Sequence, residues 1–304
     1  MRTSLKKQSG LIGMFLVFIY SVIAFTMIIG MISYFNQEFR SSVDDSKMEY
    51  LNESAAKLES WYQTNAGIYD NPALNLILTE DDLFKKANIQ KKYGAQILVS
   101  NIISYTYPQG GGNLMQVTYH TIIFRLPVFG INDTSTFNVA TGAFTPSSPN
   151  ELYKIIDGKK IEIDNIIKAT NMMKKFAQIL ELRFKSKLEM DPVHDVNYNY
   201  FKAADCASPT AEEIPCTNGF VDVNSPVLGN LNEILGDNGV SVTYPGLNFS
   251  QYTSPWAING LPDTLQIDNT SPNANDQNPP YNIALRVMTP WNTPIIVIAT
   301  EPIN

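Results

Sequence analysis

The hydrophobic positions near the start of the chain form one uninterrupted block. From Leu11 to Phe35 there are 25 residues without a single Asp, Glu, Lys, Arg or His. As a helix that rises about 1.5 Å per residue, this block reaches roughly 37 Å, which exceeds what the hydrocarbon core of a bilayer requires. We therefore predict a transmembrane helix over residues 11–35.

Two other readings of this block fit less well. The apolar region of a removable signal peptide usually has only about 7–15 residues and ends in small residues before the cleavage site. Here Ser33 is followed by Tyr34, Phe35 and Asn36, so that small-residue pattern is missing. A buried core helix would not normally run this far without a polar face. A membrane-spanning helix is the favoured interpretation.

The charges on either side of the block predict its orientation. Arg2, Lys6 and Lys7 precede it, whereas three of the four charged residues that follow it, at positions 38–45, are acidic. Cationic flanks stay on the cytoplasmic side of a membrane. The body of the chain is therefore predicted to lie outside the cytoplasm, as in a single-pass protein of a bacterial inner membrane with a periplasmic domain.

A second hydrophobic pattern follows over residues 36–66. Its apolar positions recur at steps of three and four, which is typical of one buried side of a helix. They are Met48, Leu51, Ala55, Leu58 and Tyr62. Polar residues between them can face water. We predict an amphipathic stalk that ends near Gly67, before Asn71 and Pro72.

The remaining residues, 67–304, read as an exported globular domain of the α+β class with an antiparallel sheet. A long hairpin is predicted from Ala95–Tyr107 and Leu114–Leu126, joined by the glycine-rich PQGGGN turn, with a further strand at Ser135–Ala140. A second amphipathic helix is predicted over Glu162–Met190, with a basic outer face that we interpret as solvated rather than membrane-bound.

The last hundred residues contain short strand-like runs among loops rich in Pro, Asn, Ser and Gly. The predicted strands are Val240–Tyr244, Thr264–Ile267, Asn282–Met288 and Pro294–Ala299. Two phrases in this part echo each other, TSPW ending at Trp256 and MTPW ending at Trp291. Two copies are too few to predict a repeat architecture.

The two cysteines, Cys206 and Cys216, bracket a short loop. In an oxidising compartment such a pair forms a disulfide, and closing so short a loop contributes on the order of 3 kcal/mol. A zinc site is disfavoured because only His120 and His194 could complete it, and neither has finger-like spacing.

Charge and chemistry exclude several function classes. A net charge of −7 without clustered Lys and Arg argues against nucleic-acid binding. With two histidines and no nucleotide-binding, metalloprotease or nucleophile-elbow motif, we predict that the chain is not an enzyme. No cofactor is predicted; the best candidate for an ion is calcium at the loop containing Asp268 and Asp276, although EF-hand spacing is absent.

The N-terminus resembles the leader of a type IV prepilin. The stretch from Lys6 to Gly10, followed by Leu11, is similar to the site where a prepilin peptidase cuts after glycine. The resemblance implies Gly10 and Leu11 as the processing junction. It also implies that Leu11, Phe15, Phe18 and Tyr34 lie in the membrane and then in the filament core, and that the stalk leans on a β-sheet.

One residue departs from that pattern. Pilins usually carry a glutamate at the fifth mature position, and this chain has Phe15 there. Some tip-located minor pilins and pseudopilins lack the glutamate too, and an uncleaved signal anchor is the other explanation. The TSPW and MTPW turns resemble turns of pseudopilins and of the minor pilins of conjugative type IVb pili, with Ser254 and Thr289 replacing an acidic residue.

The resemblance implies a minor pilin or pilin-like subunit of a bacterial type IV pilus, conjugative pilus or related secretion filament. Its partners would be other pilin subunits, the membrane and, if it is processed, a prepilin peptidase; it could then also reach the cell exterior in a pilus. The alternative is an uncleaved single-pass envelope protein that acts as a scaffold, among envelope assembly proteins, of a secretion or conjugation machine.

Overall fold

A computed structural model describes residues 4–110, 113–128, 132–203, 205–208, 214–216, 219–223, 225, 254–256, 265–268 and 279–302. For residues 4–17, 39–42, 110 and 113 it describes the backbone only. By its internal contacts the chain divides into Met1–Ser54 and Ala55–Asn304.

The first element is one helix, α1, which spans Ser4–Tyr69. Its apolar part is long and apolar enough to cross a membrane, with a mean hydropathy of 2.0 over its most apolar window, and none of that window is buried within the chain. The large apolar side chains there are therefore exposed to whatever surrounds the helix. The predicted end near Gly67 falls two residues short of the observed one.

The last turns of α1 belong to the second unit and contribute to its core. Leu58, Tyr62 and Ala66 recur every four residues and are fully buried. This spacing places all three on one face of the helix. The predicted apolar side of the stalk is confirmed in this part.

The predicted long hairpin is present but interrupted. Strands β1 (Gln96–Val99), β2 (Ile103–Gly110), β3 (Asn113–Tyr119) and β4 (Thr121–Leu126) form it. β2 pairs with β3, and β1 pairs with β4. The interruption lies at residues 100–102 on one side and at residue 120 on the other.

Four further elements precede the second long helix. They are a short helix, α2 (Glu80–Lys86), and the strands β5 (Thr136–Asn138), β6 (Ala143–Thr145) and β7 (Leu152–Asp157). β7 pairs with β4, so the first sheet has the order β1-β4-β7. β5 and β6 form a separate small hairpin.

Helix α3 spans Gly158–Met190 and begins four residues before its predicted start. The earlier start follows from Asp157, whose side chain accepts hydrogen bonds from the backbone N–H groups of Lys159 and Lys160 and so caps the helix. Met173, Phe176 and Leu180 of this helix are fully buried.

The second large sheet consists of β8 (Val221–Asp222), β9 (Gln266–Asp268), β10 (Asn282–Met288) and β11 (Pro294–Thr300), in the order β11-β10-β9-β8. Ile283, Leu285 and Val287 of β10 belong to the same core as α3. The α+β class is confirmed, but the described strands form four separate antiparallel sheets rather than one. The predicted strand at residues 240–244 lies outside the described residues.

Candidate functional site

Five buried polar side chains from four distant segments meet inside the second unit. They are Tyr62 of α1, Asp70 just after α1, His120 between β3 and β4, Glu162 of α3, and Trp256. None of them is more than 4% exposed. We call this group the carboxyl cluster.

Asp70 is at the centre of the carboxyl cluster. The hydroxyl oxygen of Tyr62 lies 2.7 Å from each of its carboxylate oxygens, and His120 Nδ1 lies 2.6 Å from Oδ1. The backbone carbonyl of Asp70 accepts a hydrogen bond of 2.5 Å from the hydroxyl of Thr118. Asp70 therefore connects the end of α1 to the strand hairpin.

His120 occupies its place because the hairpin ladder breaks there. Ser100 bonds to Thr121, the residue after His120: its N–H donates to Thr121 O, and its hydroxyl accepts from Thr121 N–H. The N–H of His120 is released from the ladder and donates to the Tyr62 hydroxyl over 2.9 Å. The interruption thus turns one residue of the hairpin toward α1.

Glycine is required where α3 approaches this point. The N–H of Gly158 donates to His120 O over 3.1 Å. A Cβ atom at position 158 would lie 2.1 Å from that oxygen and 2.6 Å from the Tyr62 hydroxyl. No real side chain tolerates such distances, so Gly158 allows the start of α3 to reach the carboxyl cluster.

Glu162 faces two neighbours. Its Oε2 accepts a hydrogen bond of 2.5 Å from the indole nitrogen of Trp256. Its carboxyl group also lies within reach of a side-chain hydrogen bond with Asp70. Two carboxylates that meet in a buried place cannot both be ionised at low cost, so the pair holds a proton.

The environment shifts the pKa of each acidic or basic member. Burial raises the pKa of Asp70 to about 7, although hydrogen bonds from Tyr62 and Glu162 oppose this shift. Burial, followed by the negative charge of Asp70, holds the pKa of Glu162 well above its usual range. Burial lowers the pKa of His120 to about 4. Burial and the charge of Asp70 favour the protonated form of Glu162, and burial favours the neutral form of His120.

This arrangement links distant segments of the fold. Asp70 and Glu162 have no exposed surface, so the protein encloses both carboxyl groups. The chemistry that the carboxyl cluster offers is the uptake and release of protons between segments that are far apart in the sequence.

An open groove of about 690 Å³ lies beside the first turns of α3. It reaches Asn165, one helical turn after Glu162, and its charged lining residues are Asp164, Lys168 and Lys175. Asn165 lowers the pKa of Glu162, although its Nδ2 has no partner in good hydrogen-bond geometry among the described residues. Both charge signs line the groove, so it does not select an anion or a cation.

The two echoing turns meet in space. The ring of Trp256 packs edge to face against that of Trp291, with centroids 5.9 Å apart and planes at 81°. This contact holds the indole of Trp256, which donates to Glu162, against the turn that joins β10 and β11. The sequence echo therefore marks a real contact, although not a repeat.

The residues of the predicted filament core all lie in α1. Gly10, Leu11 and Phe15 are part of its helical backbone, while Phe18 and Tyr34 are 66% and 62% exposed. An apolar helix surface of this kind needs lipid or another apolar partner. The processing junction at Gly10 and Leu11 stays a prediction.

The predicted disulfide is present, with 5.0 Å between the Cα atoms of Cys206 and Cys216. Asp268, one of the two calcium candidates, lies in β9 and is 8% exposed. Burial lowers the pKa values of Lys202 and Arg286, and the negative charge of Asp268 opposes this shift, so cations of the protein already face it. Asp276 lies outside the described residues, and the described part of the chain contains no group of three or more His, Cys, Asp or Glu that could hold a metal ion.

The carboxyl cluster was missed in the sequence, although one signal for it exists. Glu162, Ile166, Ala169 and Met173 recur at steps of three and four and are all buried. A carboxyl group on the core side of a helix needs a partner. The apolar residue Ile167 conceals this signal, because its residue type favours the buried side although it is 44% exposed.

No protein-family model matches the chain, and neither a curated protein nor a solved structure matches it significantly.

Proposed function

We propose that the chain is a minor pilin or pilin-like subunit of a bacterial type IV pilus, conjugative pilus or related secretion filament. The observation that carries the proposal is α1, a continuous helix of 66 residues. Its first part exposes an apolar surface, and its last turns are buried in an antiparallel α+β domain. This is the plan expected of a subunit that is first held by lipid and then by the apolar helices of its neighbours.

In this proposal the domain after residue 66 makes the contacts of the subunit with neighbours or with a surface, and it performs no catalysis. The enclosed carboxyl cluster supports a structural domain, because it leaves no room for a substrate. The domain lies on the periplasmic side, and the leader is removed by a prepilin peptidase between Gly10 and Leu11.

A second candidate is an uncleaved single-pass scaffold of a secretion or conjugation machine. Phe15 favours it, because the glutamate that normally pairs with the amine of a neighbouring pilin is missing. In that case α1 remains in the membrane and its exposed apolar surface contacts lipid throughout.

Mass spectrometry of the N-terminal peptide from native membranes separates the two. We expect a mature chain that begins at Leu11, and an intact segment 1–10 in assembled material would overturn the pilin proposal. Gly10→Val should abolish processing, while Gly13→Val, a matched change within the apolar run, should leave it unchanged.

A further inference from the structure

Strand β11 ends the second large sheet with an unpaired edge among the described residues, since β10 is its single neighbour in that sheet. Its sequence, PIIVIAT, contains no charge. Protected edge strands usually carry Lys, an inward charge or a bulge that prevents pairing with another chain. Apart from its first residue, Pro294, this edge has none of these devices.

The hydrogen bonds at the two ends of the hairpin show which groups of β11 point outward. Thr289 N–H donates to Thr293 O, and Glu301 N–H donates to Tyr281 O. Bonded and non-bonded pairs alternate along an antiparallel ladder. With the observed register, Ile295, Val297 and Ala299 therefore bond to β10.

The N–H groups of Ile296, Ile298 and Thr300 consequently point away from the sheet. That of Thr300 already donates to Glu181 Oε1 over 3.2 Å. Pro294, at the other end, has no N–H. Among the described residues, the donors that remain at the outer edge are those of Ile296 and Ile298, placed symmetrically about Val297.

We propose that two copies of the chain associate through β11, antiparallel and centred on Val297. Ile296 of one copy then exchanges hydrogen bonds with Ile298 of the second copy, and the reverse pair forms at the same time. Pro294 lies opposite Thr300 of the second copy. This pair loses no hydrogen-bond donor, because Pro294 has no N–H and the N–H of Thr300 already donates to Glu181. Two four-stranded sheets become one continuous sheet.

The charges beside the strand are complementary under this symmetry. Lys174 and Pro294 line one groove, and Glu181 contacts the other end at Thr300. The antiparallel arrangement brings Lys174 of one copy toward Glu181 of the second copy. It also covers the outer side of Ile296 and Ile298, which are 49% and 46% exposed. The pairing goes beyond the proposed filament role and does not depend on it.

Cysteine cross-linking of the full-length chain in native membranes tests the proposal. Val297→Cys places two thiols opposite each other in a non-hydrogen-bonded pair, where Cα atoms approach to about 4.5 Å and a disulfide can form. We expect mild oxidation to give a product of twice the mass of the chain, with a peptide that joins position 297 to itself. Ile77→Cys, on an apolar residue that is 81% exposed and does not line the groove beside β11, is the control and should remain monomeric.

A second variant tests whether the cross-link depends on pairing at the edge of β11. Ile298→Lys adds a charge to the edge while leaving the β10 ladder intact, and combined with Val297→Cys it should reduce the dimer at least tenfold. The proposal would be overturned if the Val297→Cys variant formed no dimer although it kept its melting temperature and the Cys206–Cys216 disulfide. A cross-link of another mass would also overturn it, because a different polypeptide would then occupy the edge.

Discussion

The indole nitrogen of Trp256 lies 2.5 Å from Glu162 Oε2, although 94 residues separate the two in the sequence. This bond connects a segment of the C-terminal part to the second turn of α3. It meets one oxygen of a carboxyl group that has no exposed surface. Removing this hydrogen bond should therefore lower the stability of the whole domain.

Trp256→Phe should lower the free energy of unfolding by about 1–3 kcal/mol, because a buried acceptor loses its donor. Trp291→Phe is the matched control, since the Nε1 of Trp291 has no hydrogen-bond partner among the described residues. Urea unfolding of the full chain in detergent micelles, followed by tryptophan fluorescence, measures both. Equal losses in the two variants would contradict the role of the Trp256 donor.

The pH dependence of stability follows from the same cluster. A carboxyl group whose pKa is raised on folding stabilises the fold at low pH, and this contribution is lost as the pH rises through the folded pKa. For Asp70 the loss extends from the ordinary carboxyl range to about pH 7, and for Glu162 it continues higher. His120, whose pKa falls to about 4, acts in the opposite direction between about pH 4 and 6.5. Above pH 6.5, stability should therefore decline.

Glu162→Gln should flatten that decline. Glutamine has the shape of the protonated acid and never ionises, so the variant should be more stable than the wild type above pH 7 by about 1 kcal/mol or more. Thermal unfolding from pH 5.5 to 9 measures the difference. Glu189→Gln, an exposed change on the same helix, should follow the wild-type curve, and a Glu162→Gln curve parallel to the wild type would sink the shared-proton interpretation.

Gly158→Ala should destabilise the domain by about 1–3 kcal/mol or more, because the added methyl group collides with His120 O and the Tyr62 hydroxyl. Gly219→Ala is the comparison, since a Cβ atom there meets nothing within 4 Å. Chemical unfolding of both variants checks this. If Gly158→Ala left the free energy of unfolding unchanged, the start of α3 would be able to move away from His120 and Tyr62 without cost.

The double variant Cys206→Ser with Cys216→Ser should unfold about 3 kcal/mol more easily, as expected for opening a short loop. Reducing agent should bring the wild type to the same melting temperature as the variant. If reduction leaves the melting temperature of the wild type unchanged, the disulfide does not stabilise the fold.

Local patterns in the sequence account for most of the secondary structure. The apolar block and the three-and-four spacing after it predict α1, because a helix is specified by residues close to one another. The glycines of the PQGGGN turn predict the β2–β3 hairpin for the same reason. Strand β10 is found within its predicted bounds, Asn282–Met288.

The candidate site could not be found in this way, because its members are distant in the sequence. His120 meets Asp70 across 50 residues and Tyr62 across 58. No local periodicity encodes such a meeting. The division into several sheets was missed for a related reason: a break at Ser100 and His120 depends on what packs against the hairpin, not on strand propensity.

The position of Trp256 constrains the order in which the second unit of the chain can fold. During synthesis, α3 emerges long before the indole that completes Glu162 and before β10 and β11, which cover its apolar side. A nascent chain that stops short of these segments exposes the apolar face of α3 and leaves the Glu162 carboxyl group without its donor. Folding of this unit must therefore wait until nearly the whole polypeptide has been made, and a chaperone would meet it as an open chain.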